Sequence, residues 1–128
     1  MTNPFILTIS GRPVPCPRPR VTPHGVYYNN SYLIWRDVAG WTARIAMNEQ
    51  EHPGFGKAPV ALVVRVYLKT RDRADLDNYI KAVGDALQGI LFDDDRQIQR
   101  IEAALIIGTD EPRVEIEVQK IEAVEDVA

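Results

Sequence analysis

Val60-Ala61-Leu62-Val63-Val64-Arg65-Val66-Tyr67-Leu68-Lys69 alternates along its whole length. Val60, Leu62, Val64, Val66 and Leu68 point one way, and Ala61, Val63, Arg65, Tyr67 and Lys69 the other. That is the period of a strand with one face against a core. Thr70-Arg71-Asp72-Arg73-Ala74 leads from it into Asp75-Leu76-Asp77-Asn78, and there the period changes. Leu76, Ile80, Val83 and Leu87 recur at spacings of four, three and four, one face of an amphipathic helix. Gly89 is its candidate C-terminal cap, with Ile90-Leu91-Phe92 packing inward. A strand that feeds a helix in this way sets an α/β protein, and any site in the acidic stretch sits at a strand-to-helix junction.

Upstream, Phe5 to Ser10 is short, apolar and β-branched, and reads as a first strand ending at Gly11. Pro13, Pro15, Pro17 and Pro19 then alternate, with Pro23 beyond. Proline fixes φ and removes a backbone donor, so this segment runs extended. It is a rigid connection, a proline-rich ligand for an SH3-type module, or a scaffold on which Arg12, Arg18 and Arg20 contact phosphates. His24-Gly25 marks a turn and Tyr27-Tyr28 a short strand. Asn30 or Ser31 caps a first helix, whose Ile34, Val38, Trp41 and Ile45 share one face, the expected core face, and which ends before Pro53-Gly54. Trp35 and Trp41 are expected in the core rather than stacked on bases. Downstream, Ile98 to Ile107 reads as a strand, Gly108 to Pro112 as a hairpin loop and Arg113 to Ile121 as its partner, with Val114, Ile116 and Val118 inward. The tail after Ile121 has little to anchor it. The fold class is α/β: a small mixed β-sheet with two helices packed on one face, in the order β-α-β-α-β-β, one domain over residues 1–128.

Hydrophobic content of 45% and charged content of 26% fit a packed globular core. A single cysteine, Cys16, forms no internal disulfide, and neither a membrane span nor a signal peptide is legible, so the expectation is a cytoplasmic protein. The net charge of −3 conceals segregation. Residues 1–36 hold Arg12, Arg18, Arg20 and Arg36 and no acid, and residues 57–73 hold Lys57, Arg65, Lys69, Arg71 and Arg73 against Asp72 alone. Residues 110–128 hold seven acids and two bases. Such a chain can present a basic surface to a polyanion despite its sign.

Asp75 and Asp77 open the second helix, Lys81 follows one turn later, and Asp93-Asp94-Asp95 lies past its end. Alone, Asp77 is an N-cap, the acidic run a solvated turn, and Lys81 an ordinary pair with Asp77 and Asp85. Together, the clusters call for a hard cation such as Mg²⁺, which takes oxygen ligands and retains waters. To meet, they require either a fold-back beside the Val60–Lys69 strand or the helices of two subunits. His24 and His52 lack zinc-like spacing, there is no phosphate loop and no dinucleotide fingerprint, and the acidic run lacks the D-D-x-x-D spacing of diphosphate sites.

Asp75-Leu76-Asp77-Asn78, Lys81, Asp85-Ala86-Leu87, Gly89 and Asp94-Asp95-x-Gln97-Ile98 resemble the signature of the RusA family of Holliday-junction resolvases. Gly11-x-Pro13 with Arg18-Pro19-Arg20 resembles its phage and prophage members. The resemblance implies a homodimeric, Mg²⁺-dependent endodeoxyribonuclease, with Mn²⁺ substituting, that resolves four-way DNA junctions by paired symmetric cuts and uses no organic cofactor. It implies Asp75, Asp77 and Asp95 as essential metal-binding carboxylates, Asp94 as a supporting metal-binding acid and Lys81 as the essential lysine. Which of Asp93, Asp94 and Asp95 ligate stays open. Arg12, Arg18, Arg20, Lys69, Arg71 and Arg73 are the expected DNA contacts. The alternatives are a non-catalytic DNA-binding or phage-assembly protein, or a nuclease that prefers other branched DNA.

Overall fold

A computed structural model describes residues 4–18 and 20–122, with the backbone alone at 20, 21, 26 and 27. Pro19 and the tail beyond 122 lie outside the described residues. The elements are β1 (Phe5–Ser10), β2 (Arg20–Thr22), β3 (Gly25–Tyr27), α1 (Asn30–Glu49), β4 (Val60–Leu68), α2 (Leu76–Leu87), β5 (Ile98–Ile107) and β6 (Arg113–Lys120). A 3-10 turn, Asp95–Gln97, precedes β5. The main sheet has the order β1-β6-β4-β5, while β2 and β3 pair separately across a Pro23-His24 turn, one residue earlier than expected. β4 pairs antiparallel with β6 and parallel with β5, which makes the sheet mixed.

The expected alternation of β4 holds. Val60, Leu62, Val64, Val66 and Leu68 are buried, and Phe5, Leu7 and Ile9 of β1 and Val114, Ile116 and Val118 of β6 join them on the same face. Each such side chain contributes about 1.5–3 kcal/mol by leaving water. The helices cover that face. α2 buries Tyr79, Ala82, Val83, Ala86 and Leu87, so its buried stripe is rotated slightly from the expected one, with Leu76 and Ile80 only half-buried.

Two expectations are corrected. The last two strands are not hairpin partners, because β6 lies between β1 and β4 and β5 occupies the edge. Burial explains the choice: the inward residues of β6 are shielded on both sides, whereas most of β5 is exposed. The second correction concerns α1. Ile34, Val38, Trp41 and Ile45 face away from the core, and Tyr32, Trp35, Ala39 and Ala43 face it. Small residues set this orientation by allowing close approach. A Cβ at Gly40 would lie 2.9 Å from Ile90 Cδ1 of the segment after α2. Trp35 is buried as expected and Trp41 is not. The N-cap is Asn29, one residue earlier than expected, and its Oδ1 accepts from Tyr32 N at 2.9 Å. Among the described residues no helix is long and apolar enough to cross a membrane.

Candidate active site on helix α2

The junction between β4 and α2 is held by side-chain hydrogen bonds. Asp72 Oδ1 accepts from Ala74 N at 3.0 Å, and Arg71 Nη1 donates to Ala74 O at 2.7 Å. Tyr79 OH donates to the other Asp72 oxygen. Burial, then that hydrogen bond, push the Tyr79 phenol well above its ordinary pKa. Asp75 follows with extended backbone at the N-cap position, yet its carboxylate makes no capping bond. The N-cap is thus Asp75 rather than the expected Asp77, and capping does not account for the Asp75 carboxylate. Asp77 stands exposed in the first turn, where the helix dipole favours negative charge.

One turn on, Lys81 Nζ donates to Asp85 Oδ1 at 2.7 Å. The second oxygen of Asp85 accepts from Tyr32 OH at 2.5 Å, and Cys16 Sγ lies 3.8 Å from it. Tyr32 is fully buried, and burial followed by Asp85 pushes its phenol far up. Lys81 is held in its charged form, first by the Asp85 hydrogen bond against a smaller burial cost, with the charges of Asp85 and Asp95 adding to it. The proline run is part of this assembly. Cys16 N donates to Asn78 O at 3.0 Å, and Pro13 and Cys16 are buried, so the extended segment lies against α2.

The second acidic cluster is built differently. Asp94 caps the 3-10 turn: its Oδ1 accepts from Arg96 N at 2.9 Å while its own N–H donates to Gln97 Oε1 at 2.7 Å. Its other oxygen lies 3.3 Å from Arg96 Nη2. These bonds hold the Asp94 carboxyl below the usual range. Gln97 Nε2 donates to Gly56 O and Ala58 O, fastening the turn to the loop before β4. Asp95 N donates to Gln88 Oε1 at 3.0 Å, which ties Asp95 to the C-terminal end of α2.

Parallel pairing of β5 with β4 starts at Val60↔Ile98, the beginning of β4, whereas α2 begins beyond its end. The fold-back beside β4 thus exists but in the sense that keeps the acids apart. Asp77 and Gln88 are eleven residues apart, about 16 Å of helix axis. Mg²⁺ holds its oxygens at about 2.1 Å, so a shared ion demands carboxylate oxygens within roughly 4 Å. Among the described residues no three acidic, histidine or cysteine side chains converge on one metal position. Asp75 and Asp77 stand at one end of the helix, Asp94 and Asp95 at the other.

The basic residues gather at the Asp75 end. Arg12 and Lys69 line one groove with Thr70 and Asp72, and the Arg12 charge is felt at Tyr79. Arg18, Arg71 and Arg73 are exposed, and the side chain of Arg20 lies outside the description.

Comparison with known proteins bears on this arrangement. The model of a family described as Endodeoxyribonuclease RusA matches residues 10–119. The chain belongs to the RusA family. A Bacillus subtilis (strain 168) protein designated uncharacterized protein YqaN is 34% identical over 56 residues, which cover 44% of this chain and 39% of that one. The family match spans the proline run, both helices, β4, β5 and nearly all of β6, and takes in only Ser10 of β1, so α2 and its flanks lie within the RusA-family part of the molecule. Sequence reasoning named Asp85 as a helical neighbour of Lys81 and as part of the Asp85-Ala86-Leu87 resemblance without giving it a role at the site, and passed over Tyr32 and Gln88. Those two signals were the ones available for Asp85. Tyr32 lies 53 residues from it, and nothing local marks the pair.

Proposed function

We propose that this RusA-family chain is a Mg²⁺-dependent endodeoxyribonuclease, with Mn²⁺ substituting, that resolves four-way DNA junctions as a homodimer. The observation that carries the reading is the outer face of α2. Asp75 and Asp77 keep carboxylates not spent on capping, Lys81 is held as a cation one turn away, and Arg12, Lys69 and Arg71 gather at the same end. Asp75 and Asp77 are the residues that would hold the ion, a two-carboxylate set of the size Mg²⁺ accepts. When bound, such an ion activates water and neutralises phosphate charge.

The chain's own residues do the rest. Because Asp85 raises the Lys81 pKa, Lys81 is an ammonium at neutral pH. It is suited to contacting a phosphate oxygen as charge develops there, and unsuited to acting as a free-amine base. Asp85 positions Lys81 and is itself fixed by Tyr32. Arg12, Arg18, Lys69, Arg71 and Arg73 hold phosphates on the duplex arms, which gives register without base preference. A two-fold symmetric protein matches the need to cut two related strands.

The test is cleavage of an immobile four-way junction, a linear duplex and a flap, each with Mg²⁺, Mn²⁺ or EDTA. Paired, symmetric, metal-dependent cuts on the junction, abolished by Asp77→Asn while binding persists, are expected. Junction binding without cutting in either metal would instead identify a non-catalytic DNA-binding protein. Asp77→Asn cutting at the wild-type rate would remove Asp77 from the site.

A further inference from the structure

We infer that Asp72 and Tyr79 are positioning residues, whose hydrogen bond fixes the start of α2 and so leaves the carboxylates of Asp75 and Asp77 to the ion. The inference rests on the nuclease reading above and adds to it what holds those two acids in place.

The first turn of a helix has unpaired backbone amides, and an aspartate at the N-cap ordinarily turns its side chain back to accept from one of them. Asp75 occupies that position with extended backbone and makes no such bond. A carboxylate withheld from its cap gives up the stabilisation that the cap supplies, so another group has to fix the start of the helix. Asp72 is that group. Its Oδ1 accepts from Ala74 N at 3.0 Å, and its other oxygen accepts from Tyr79 OH, one turn into α2. Arg71 Nη1 closes the arrangement, donating to Ala74 O at 2.7 Å and lying 3.4 Å from Asp72 Oδ1. Both backbone polar groups of the residue before Asp75 are therefore held, and the helix that carries Asp77 is tied to the same carboxylate.

A local turn would explain only the Ala74 bond, because an aspartate commonly accepts from the amide two residues on. Two further observations give Asp72 a larger part. Tyr79 is 1% exposed, so its hydroxyl is a buried donor that depends on this carboxylate for its acceptor. Asp72 also lines the groove that holds Arg12 and Lys69. An acid opposes phosphate binding in such a groove, so its place there calls for a role other than DNA contact. The proline run fastens the same turn from another side, through Cys16 N donating to Asn78 O at 3.0 Å. Asp75 and Asp77 thus stand on a turn held at two points, neither of which uses their side-chain oxygens.

The experiment titrates the full chain with Mn²⁺ by calorimetry in the absence of DNA, then measures junction cutting across a range of Mn²⁺ concentrations. Groups that orient metal ligands without touching the ion change its affinity by about 10–100-fold when removed, so Tyr79→Phe and Asp72→Asn are each expected to weaken Mn²⁺ binding about tenfold. The Asp72→Asn amide offers one acceptor oxygen where two are needed. The Tyr79→Phe/Asp72→Asn double variant should be no weaker than the worse single one, because both changes remove the same bond. Cutting by the variants should require correspondingly more Mn²⁺ and return close to the wild-type rate once the ion saturates. A merely structural role gives another pattern: a lower Tm, unchanged Mn²⁺ affinity and no recovery with added ion. That pattern overturns the inference, and so does loss of the fold in both single variants. Asp75→Asn and Asp77→Asn are the reference. If neither weakens Mn²⁺ binding, or wild type takes up no Mn²⁺, the nuclease site assignment fails first and the inference with it. If they weaken it and the Asp72 and Tyr79 variants do not, the positioning role alone falls.

Discussion

Replacing Asp85 tests whether the α2 site is organised around one carboxylate. Its side chain is about one-fifth exposed and that of Lys81 about half. The Lys81 pair alone is thus a partly exposed ion pair worth roughly 0.5 kcal/mol. Tyr32 is different, because its hydroxyl is buried and its acceptor is Asp85. Asp85→Ala leaves that hydroxyl unsatisfied at a cost of about 1–3 kcal/mol, so the expected total is roughly 2–3 kcal/mol. For a chain of this length that lowers Tm by on the order of 10 °C, at about 4 °C per kcal/mol. Asp85→Asn keeps an oxygen for Tyr32 and should cost roughly 1 kcal/mol or less. Tyr32→Phe removes the donor instead. Urea denaturation of both single variants and the Tyr32→Phe/Asp85→Ala double variant measures the coupling. A coupling of about 1 kcal/mol or more is expected, and additivity within roughly 0.5 kcal/mol would refute the shared hub. Cleavage carries a second signature. Asp85 raises the Lys81 pKa, so neutralising it brings that pKa down toward the ordinary lysine value of 10.5. The alkaline limb of the cleavage profile should then move to lower pH while neutral activity survives.

Gly40→Leu should separate the helices, since even a Cβ there reaches 2.9 Å from Ile90 Cδ1; a loss of about 1–3 kcal/mol in chemical denaturation is expected. Gly40→Ala needs only a shift of a flexible methyl and gains helix propensity, so it should stay within roughly 1 kcal/mol of wild type. Tyr79 has a folded pKa raised above its ordinary 10.0, first by burial. Its contribution is complete below that value and declines as pH rises past it, because the unfolded chain then releases a proton that the folded chain keeps. The fall of Tm between about pH 9.5 and 11 should be shallower in Tyr79→Phe. Arg12→Gln and Lys69→Gln should each weaken junction binding and reduce the slope of log affinity against log salt by about 0.9, measured by fluorescence anisotropy.

What could be read from the sequence was what local period encodes. β4 and its five inward residues followed from strict alternation, and the strand-to-helix junction at Asp75 from the change of period. Partner choice could not be read. β5 and β6 are joined by a loop that suits a hairpin, yet β6 enters the middle of the sheet because its inward valines and isoleucine bury more there than at an edge. The stripe on α1 was legible as apolar but not as outward-facing. Ala39, Gly40 and Ala43 score weakly in any hydropathy pattern, yet they let α1 seat closely, and large residues mark the opposite side. At the site, the acids and Lys81 stood out by type and spacing. The Tyr32–Asp85 and Gln88–Asp95 bonds join residues through tertiary packing or a reversing loop, and leave no periodic trace.

The separation of the acids follows from the topology rather than from side-chain detail. Parallel strands joined by a helix oblige that helix to run back along the sheet. Residues just after β4 and residues just before β5 must then occupy opposite ends of α2, whichever rotamers they adopt. Asp75 and Asp77 on one side and Asp94 and Asp95 on the other are therefore close in the sequence and apart in the fold.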